Sequence, residues 1–524
     1  MTTTKRNVWL SMILVLVFLV FSPSAYADDE LLEERTMGLS LQSAVELGIA
    51  RNLDVIIERY REEIAFQRIA EEESIFDPIT GLSVEASRSE QPVAEVWYPR
   101  GYDIRKSAKS NLGVEGKIPT GAIYGVDLTF QRYETRSSAQ TLRPQYSAKL
   151  NFSVTHPLLK DFGVGVTKTR IRMAETGDEI ARYEVKDRVV RTVGAVEAFY
   201  WELAFALENL EVRRKSLELA NKLLYETDIM VTAGEVPKLN SIQAKVGIAA
   251  REEEVILAEN NARKADYDLK TLLDLPDDEV RITPLDRPQK DTVVPGLKES
   301  LDRAWKSRPD LQAVRLDVEQ KEIERRYARN QVLPRLDVVA EYGYNGISGQ
   351  PSKYGDPDGS TVDQTPYAGR TNSTDAFNDF FTKSGESWLL GMKFEAPWGN
   401  DEARSRFTQA ELAKKRSRTE VRRLEEKIAN EVKKAVLDIL TAVKRMGTMK
   451  AGVGLAKEQL AGEVARFRAG EATSYNILEF EEELRDMKTK ELMAIMDYNT
   501  AWSDLRVAEG VALDEYGLEF DPAE

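Results

Sequence analysis

Residues 41–63, LQSAVELGIARNLDVIIERYREE, have a counterpart 256 positions later in residues 297–319, LKESLDRAWKSRPDLQAVRLDVE. No gap is needed to align the two stretches, and the same shift matches residues well beyond them. The identical pairs are Leu41 and Leu297, Asp54 and Asp310, Arg59 and Arg315, Glu63 and Glu319, Pro78 and Pro334, and Glu85 and Glu341. Self-similarity of this kind indicates a duplicated structural unit, so the chain is predicted to consist of two tandem repeats.

A second, slightly smaller shift aligns the later parts of the two halves. It matches Ala233-Gly234-Glu235 with Ala469-Gly470-Glu471. Both halves run through the same predicted parts: a short helix, a longer helix, a proline, strands around a polar loop, a very long helix, a glycine turn and a return helix. We divide the chain into a first repeat (28–275), a linker (276–296), a second repeat (297–510) and a C-terminal tail (511–524).

The N-terminal segment, 1–27, has the pattern of a secretory signal peptide. Lys5 and Arg6 give a basic start, residues 8–21 are apolar, and Ala25-Tyr26-Ala27 is a small-x-small cleavage site. Loss of this segment removes two cations and no acid, which takes the formal charge from −15 to −17. This balance argues against a nucleic-acid partner, because phosphate binding needs clustered Lys and Arg. Solubility is the ordinary interpretation of such a charge.

The chain contains no cysteine, which excludes disulfides, thiol chemistry and a lipid anchor on an N-terminal cysteine. After residue 27 there is no run of about 18 apolar residues, so no transmembrane helix is predicted. A position within the membrane would therefore require a closed β-barrel, because only helices and closed barrels satisfy their backbone polar groups in lipid.

Several stretches alternate apolar and polar residues as strands do. Their apolar members are Leu82, Val84 and Ala86; Tyr146, Ala148, Leu150, Phe152 and Val154; Leu336, Val338, Ala340, Tyr342 and Tyr344; and Trp388, Leu390, Met392 and Phe394. The pattern suits strands with lipid outside and water inside, although alternation alone favours a soluble sheet with one face on a core. We prefer the membrane interpretation because too little helix-free sequence remains to build that core. Leu150, Phe152, Trp388 and Leu390 are then expected to face lipid.

The two halves differ between their outer strands. The first half has a further alternating pair of stretches within residues 112–130, which turns at Pro119-Thr120-Gly121. The second half has residues 346–386, rich in Gly, Ser, Asp, Asn, Pro and Thr, which predict a long exposed loop.

Two very long helices are predicted from a sustained 3.5-residue apolar period, which is typical of coiled coils. The apolar positions include Val189, Val193, Val196, Tyr200, Leu203 and Leu210 in the first half and Ile428, Val432, Ala435, Ile439, Ala442 and Met446 in the second. Each helix ends at a glycine turn and is followed by a return helix, to about residues 275 and 508. A helix of about 50 residues would be roughly 75 Å long, a length that suits a projecting tube or stalk.

No catalytic, cofactor-binding or metal-binding residue is predicted. His156 is the only histidine, so the usual zinc ligand sets and a Ser-His-Asp triad are not available, and a structural role is expected. The acidic triplets at 71–73, 252–254 and 481–483 are interpreted as solvated helix faces. The last triplet follows the second glycine turn, where a ring of charge could favour cations if a tunnel narrows there.

Three short stretches flank the predicted helices and strands, namely Leu41-Gln42-Ser43-Ala44-Val45, Thr155-His156-Pro157-Leu158-Leu159 and Phe394-Glu395-Ala396-Pro397-Trp398-Gly399. In this arrangement, and with its two glycine-turn helical hairpins, the chain resembles the TolC-type outer membrane efflux protein family. The resemblance implies a mixed α+β homotrimer in the outer membrane of a Gram-negative bacterium, with four strands per protomer in a common barrel and a periplasmic helical tunnel. It also implies a periplasmic adaptor protein and an inner-membrane transporter as partners, and no cofactor.

The same resemblance suggests where function resides. The turns at Gly234 and Glu235 and at Gly470 and Glu471 would dock the adaptor, and the pore aperture would lie just beyond them. The expected aperture residues are Asn240, Gln243, Asn476 and Glu479. Ala472 stands where relatives can have an arginine, so the resemblance does not imply a closing salt bridge through these positions. The extra hairpin within 112–130 raises the strand number to four or six, and we expect four, with the hairpin extending outward.

The sequence therefore favours a passive outer membrane exit duct of a tripartite efflux or type I secretion system, with no enzymatic activity. The alternative is a secreted coiled-coil scaffold protein, which would share the signal peptide and heptads but would need no lipid-facing strands.

Overall fold

The computed structural model describes residues 35–94, 101–135, 137, 140–275, 280–290, 292–351, 369–382, 385–469 and 471–518. The predicted signal peptide and Gly470 lie outside these residues. The helices are α1 (Leu41–Arg51), α2 (Leu53–Glu73), α3 (Val164–Thr167), α4 (Thr169–Ala233), α5 (Lys238–Leu272), α6 (Leu297–Ser307), α7 (Pro309–Gln331), α8 (Ser373–Thr382), α9 (Asp401–Arg468) and α10 (Ser474–Glu509). The strands are β1 (Arg35–Leu39), β2 (Ile79–Pro92), β3 (Tyr102–Lys117), β4 (Ile123–Glu134), β5 (Leu142–Pro157), β6 (Val280–Pro284), β7 (Arg335–Pro351) and β8 (Glu386–Glu395).

The short helices form where the sequence predicts them, within about two residues at each end. The hydroxyl of Ser40 accepts a hydrogen bond from the Ser43 N–H at 3.2 Å, which caps α1. The side chain of Asn52 caps α2 by accepting from the N–H groups of Asp54 and Val55. In the second half α7 begins at Pro309, which has no backbone N–H to leave unpaired in the first turn.

The two long helices are longer than predicted. α4 has 65 residues and α9 has 68. At 1.5 Å per residue each is roughly 100 Å long. α4 pairs with α5 and α9 with α10, and α4 also packs against α10 and so joins the two hairpins. The predicted heptad positions are buried from Val189 to Leu210 in α4 and from Ile428 to Met446 in α9, which confirms the coiled-coil packing. Among the described residues, no helix is both long and apolar enough to span a bilayer.

The sheet contains six strands, in the order β2-β3-β4-β5-β7-β8, and every neighbouring pair is antiparallel. The expectation of four strands with an outward hairpin is therefore wrong. β3 pairs along its length with β2 on one side and with β4 on the other. Both strands of the hairpin lie between β2 and β5 and are paired on each side, so their backbone groups are satisfied within the sheet.

The segment after β7 is only partly the exposed loop that its composition predicts. β7 continues to Pro351, and α8 packs on the sheet with Ala376 and Asp379 buried. The Phe377 ring stacks on Phe130 of β4 with centroids 5.4 Å apart. The apolar side chains of α8 were hidden in a stretch whose overall composition is polar, and residues 352–368 lie outside the described residues.

The linker holds a strand that the sequence did not predict. β6 pairs in parallel with β1, and both are five residues long, too short for alternation to be recognised. Beyond β6, the Asp286 carboxylate accepts from the N–H of Leu41 at 2.6 Å and from the hydroxyl of Tyr200 at 3.0 Å. Burial raises the pKa of Tyr200 to about 12, so this hydroxyl stays a donor at neutral pH. This strand and its contacts tie the linker to the first half of the chain.

The linker is also held by the second half. The Asn499 side chain of α10 donates to the carbonyl of Gln289 and accepts from its N–H, both at 3.0 Å. The C-terminal tail packs back on the first half, where Tyr516 donates to the buried carboxylate of Glu197 in α4. Arg506 of α10 pairs with the same carboxylate at 2.8 Å. Contacts of the linker and of the C-terminal tail therefore hold the two halves together.

Candidate functional site

The six-stranded sheet has one apolar face. The hydrogen-bonded register places Leu150 opposite Tyr344, and Phe152 opposite Tyr342. Trp388 and Leu390 continue the same face on β8, where they lie opposite Tyr342 and Ala340. The strand residues expected to face lipid are thus brought together on one surface.

This apolar face is largely uncovered in the single chain. Trp388 is 74% exposed and Leu390 is 70% exposed, and Leu82 on β2 is exposed to the same degree. Uncovered apolar patches much larger than a few hundred Å² mark sites of contact with a membrane or another protein. The opposite face carries polar and charged side chains in the same register, namely Glu85, Lys109, Glu115, Asp127, Lys149 and Asn151. A sheet with these two faces can separate lipid from water.

The expected aperture residues lie at the far ends of the helical hairpins. Asn240 and Asn476 occupy the first turns of α5 and α10, and Gln243 and Glu479 follow one turn later with exposed side chains. The Asn476 side chain is engaged locally, because its amide oxygen accepts from the hydroxyl of Thr473, the N-cap of α10. Within the described residues, no hydrogen bond joins Asn240 to Asn476.

The turn after α4 contains a left-handed residue. Gly234 has φ of +79°, a left-handed conformation that favours glycine, and ends α4 as the sequence predicts. The Glu235 N–H then bonds to the Met230 carbonyl at 3.0 Å. On the other hairpin the Glu471 N–H bonds to the Arg466 carbonyl at 2.9 Å. Glu235 and Glu471 are exposed at the two tips, where a partner can reach them.

Just behind the tips the two hairpins are packed together by apolar side chains. The cluster combines all four long helices through Leu223 of α4, Ile248 of α5, Phe467 of α9, and Ile477 and Leu478 of α10. Gly247 lets α5 approach α10 closely, because a Cβ there would lie 3.0 Å from the Leu478 side chain. The tips are therefore held together from inside as well as exposed outside.

A buried ion pair crosses the same contact. The Arg251 guanidinium of α5 lies 3.0 Å from the Glu481 carboxylate of α10, and both side chains are over nine-tenths buried. Arg251 also donates to the carbonyl of Leu478 at 3.2 Å and to that of Gly247 at 3.0 Å. A buried charge that loses its partner is costly, so this pair resists separation of the two helices.

A second charged cluster lies about one helical turn further from the tips. Glu254 of α5 accepts from Arg213 of α4 at 3.1 Å and pairs with Arg485 of α10 at 2.8 Å. The Arg485 side chain is only 5% exposed. One carboxylate thus connects three helices and both hairpins. We call these two sets of contacts, with Arg251, Glu481, Arg213, Glu254 and Arg485, the inter-hairpin lock.

The interpretation of the acidic triplets as wholly solvated faces is wrong for two residues. Glu481 is buried and Glu254 is partly buried, because each faces an arginine on another helix, whereas Glu252, Glu253, Glu482 and Glu483 are exposed. The missed residues are Arg251 and Arg485. Their only sequence signal is that each adjoins or closely follows an acidic run near a glycine turn, which does not reveal pairing across some 230 positions.

Comparisons with known proteins agree with this geometry. The model of the outer membrane efflux protein family matches residues 300–511. No curated protein matches the chain by sequence. The Campylobacter jejuni CmeC outer membrane channel has a TM-score of 0.64 at 16% identity, covering 94% of each chain. The open state of the Neisseria gonorrhoeae MtrE outer membrane channel has a TM-score of 0.62 at 15% identity, covering 90% of this chain and 89% of that one.

A third solved structure, the outer membrane protein VceC of Vibrio cholerae, has a TM-score of 0.60 at 16% identity and covers 90% of this chain and 96% of its own. At such identities the structural likeness establishes the fold, and the family model adds the sequence relationship in the second half. The expected class, a transport protein rather than an enzyme, follows from the same match. Residues 300–511 therefore match the outer membrane efflux protein family, and the chain as a whole has the fold of the solved outer membrane channels.

Proposed function

We propose that three copies of this chain form the exit duct of a tripartite efflux or type I secretion system. The sheets would line a pore through the outer membrane, and the long helices would form a tunnel in the periplasm. The observation that carries this proposal is the junction of a sheet having one exposed apolar face with helical hairpins roughly 100 Å long. The channels CmeC and MtrE share this fold.

The proposed duct is built from two repeats. α1 and α6 begin at positions that the first shift of the sequence aligns, and so do α2 and α7, and β2 and β7. α5 and α10 begin at Lys238 and Ser474, which the second shift aligns. This spacing supports a duplication in which each half supplies strands to the pore and one hairpin to the tunnel. The extra β3–β4 hairpin belongs to the first half alone.

The proposed partners would bind at the tips of the two helical hairpins. A periplasmic adaptor protein would contact the chain at Gly234 and Glu235 and at Gly470 and Glu471, and would connect the duct to an inner-membrane transporter. Glu235 and Glu471 are exposed. Any opening that moves the second hairpin away from the first must break the inter-hairpin lock. We infer that the adaptor opens the duct by weakening these contacts, and that Glu479, exposed near the tip, adds one carboxylate per copy to the aperture.

The Glu481→Gln variant tests this gating. Loss of the carboxylate leaves the buried Arg251 without its charged partner, so the hairpins should separate more readily and the resting conductance in planar bilayers should rise severalfold. Glu483→Gln removes the same charge from an exposed position two residues later and should leave the conductance unchanged. Equal conductance in the two variants would show that the lock does not hold the closed state.

In the same bilayers, the Glu479→Gln variant distinguishes the role of the aperture from that of the inter-hairpin lock. A ring of carboxylates attracts cations, so its removal should reduce cation selectivity and weaken block by multivalent cations without raising the resting conductance. Unchanged selectivity would place Glu479 away from the pore.

A second prediction concerns the docking turn. Gly234→Val puts a β-branched side chain at a φ of +79°, a conformation that such residues avoid. No atom lies within 4 Å of the added Cβ, so the strain would stay local to the turn. We expect export to be lost in cells while the protein is still inserted in the outer membrane. Gly454→Val, at an open position inside α9, is the control, and normal export by Gly234→Val would rule out this turn as an adaptor contact.

Fractionation distinguishes the duct from a secreted scaffold. A duct should remain with outer membranes after washing with high salt and with carbonate, because apolar contact with lipid is not disrupted by either treatment. Release of the protein by these washes would contradict the proposed function.

A further inference from the structure

We propose that each copy contributes all six strands to a common barrel, closed by β8 of one copy pairing with β2 of the next. The barrel of a trimer would then have about 18 strands, rather than the about 12 that four strands per copy would give. This inference rests on the proposed function and adds to it the partner of each sheet edge and the width of the pore.

The two outer strands of the sheet are the surfaces that carry the inference. In the part of the chain that the structure describes, β2 pairs only with β3 and β8 pairs only with β7. All 14 residues of β2 are exposed, as are nine of the ten residues of β8. Long unpaired edges invite strand pairing with another chain, and natural proteins normally protect them. Edges left so open on a membrane protein need a partner, since lipid cannot satisfy their backbone groups.

The directions of the two edges fit one another. β2 follows α2 and so runs away from the helices, whereas β8 leads into α9 and runs towards them. Side by side in neighbouring copies with the helices on one side of the membrane, β8 and β2 are antiparallel, like every other neighbouring pair in the sheet. Six strands alone are too few to close, because the smallest membrane barrels have about eight. A second copy is therefore the occupant that these edges fit.

The stagger of the strands supports closure into a barrel. A single row across the sheet joins Ile79, Glu115, Gly125, Ser153, Glu341 and Leu389. Ile79 is the helix-proximal end of β2, whereas Ser153 lies four residues from that end of β5 and Leu389 lies six residues from that end of β8. The row thus climbs by six residues across the six strands.

This climb has the size that a membrane barrel requires. If the helix-proximal ends of β8 and the neighbouring β2 are level, the stagger is about one residue per strand around the whole barrel. With a rise of about 3.3 Å per residue and a spacing of about 4.8 Å between strands, the strands tilt by roughly 35°. Closed barrels in the outer membrane have tilts of about 35–45°. The strands of the extra hairpin follow the same stagger, as expected if they belong to the barrel wall.

With the helix-proximal ends of β8 and the neighbouring β2 level, the residue pairs between the two strands can be predicted. Val84 of one copy would lie opposite Leu390 of the next, with Leu82 opposite Met392 and Ala86 opposite Trp388. Each of these side chains belongs to the apolar face of its own sheet, so the apolar band would continue around the barrel without a break. Val84 and Leu390 are 75% and 70% exposed in the single chain, and closure would give them cross-strand partners.

Cysteine pairing tests the edges directly, and the absence of native cysteine removes any background. The double variant Val84→Cys, Leu390→Cys, oxidised in native membranes, is expected to give covalent trimers on denaturing gels, whereas each single variant stays monomeric. The pair Glu85→Cys, Leu390→Cys puts the thiols on opposite faces and is the matched control. Leu390→Cys is also combined with Leu82→Cys and with Ala86→Cys, which covers a register displaced by two residues. Failure of all three same-face pairs to cross-link overturns closure through these edges.

Lipid contact of the extra hairpin tests the strand number. A fluorophore on Leu112→Cys, in β3, should be quenched by brominated acyl chains as strongly as one on Leu150→Cys, whereas Asn111→Cys on the polar face should not. Quenching at Leu150 without quenching at Leu112 overturns the six-strand barrel and leaves the proposed function intact. Loss of quenching at both positions, with no cross-linked trimer, overturns the inference together with the proposed function.

Discussion

Replacement of Arg308 by alanine is expected to lower the free energy of unfolding by about 3–5 kcal/mol, the usual cost of leaving a buried charge without its partner. Arg308 is 4% exposed at the junction of α6 and α7. Its guanidinium binds Asp310 at 2.6 Å and Glu431 of α9 at 2.8 Å, and donates to the Ala508 carbonyl of α10 at 3.3 Å. Its removal would leave carboxylates from two helices facing each other without this cation.

Asp310 adds a dependence on pH to this prediction. Burial raises the pKa of its carboxyl, but hydrogen bonding to Arg308 and the charges of Arg308 and Arg191 outweigh burial and hold the pKa below its ordinary value. A lowered pKa in the folded state contributes stability that is present at neutral pH and is lost as the pH falls through the unfolded and then the folded pKa. The Arg308→Ala variant should lack this contribution, so its stability should decline less between neutral and acidic pH than that of the parent.

Urea unfolding of the detergent-solubilised protein, followed by far-ultraviolet circular dichroism, measures both effects. Arg315→Ala is the control, because Arg315 pairs with Glu425 at 3.3 Å while 43% exposed, and exposed pairs contribute only about 0–1 kcal/mol. Arg308→Lys should fall between the two, since an ammonium cannot reproduce the forked contact with Asp310. A loss at Arg308 no greater than that at Arg315 would contradict the importance of the buried site.

Introduction of arginine at Leu390 is expected to destabilise the membrane-inserted form by about 2–4 kcal/mol if this side chain meets lipid near the bilayer midplane. Gly391→Arg is the matched control, because the neighbouring residue of β8 points to the polar face. The amount of protein retained in carbonate-washed outer membranes and the denaturant midpoint in liposomes should both fall for Leu390→Arg and change less for Gly391→Arg. Equal tolerance of the two substitutions would contradict the assignment of the lipid-facing side.

The helices were the most predictable part of this fold. Their 3.5-residue period persists over many turns, and the side chains at those positions are buried as expected, from Val189 to Leu210 and from Ile428 to Met446. Ser40, Pro78, Pro309 and Pro334 mark helix ends. They do so through side-chain capping or the missing N–H of proline, and both can be recognised from the residue type alone. Features that depend on local periodicity or capping could therefore be predicted from the sequence.

The errors concern contacts between distant segments. The alternation of β3 and β4 predicts two strands, but only the register with β2 and β5 shows that this hairpin lies within the sheet. β1 and β6 are recognisable only as a pair, because neither has enough residues to show a period alone.

The candidate site shows the same division. The sequence located the turn at Gly234 and the apolar strand face, since a glycine turn and an alternating strand are local patterns. It missed Arg251 and Arg485, because the repeated charges around them conceal their pairing with Glu481 and Glu254 on other helices. Whether a carboxylate is solvated or paired depends on which helices pack together, and that information is not local.

The pairing of the linker strand β6 bears on whether the two halves would stay together if the chain were cut between them. It is paired with β1 of the first half, and residue 289 behind it is bound on both backbone groups by Asn499 of the second half. The linker is thus bound to both halves by non-covalent contacts, and these contacts do not depend on the peptide bonds between Gln289 and α6. A protein cut between Gln289 and α6 should stay assembled, and its two pieces, produced as separate polypeptides, should be able to find each other and complement in the cell.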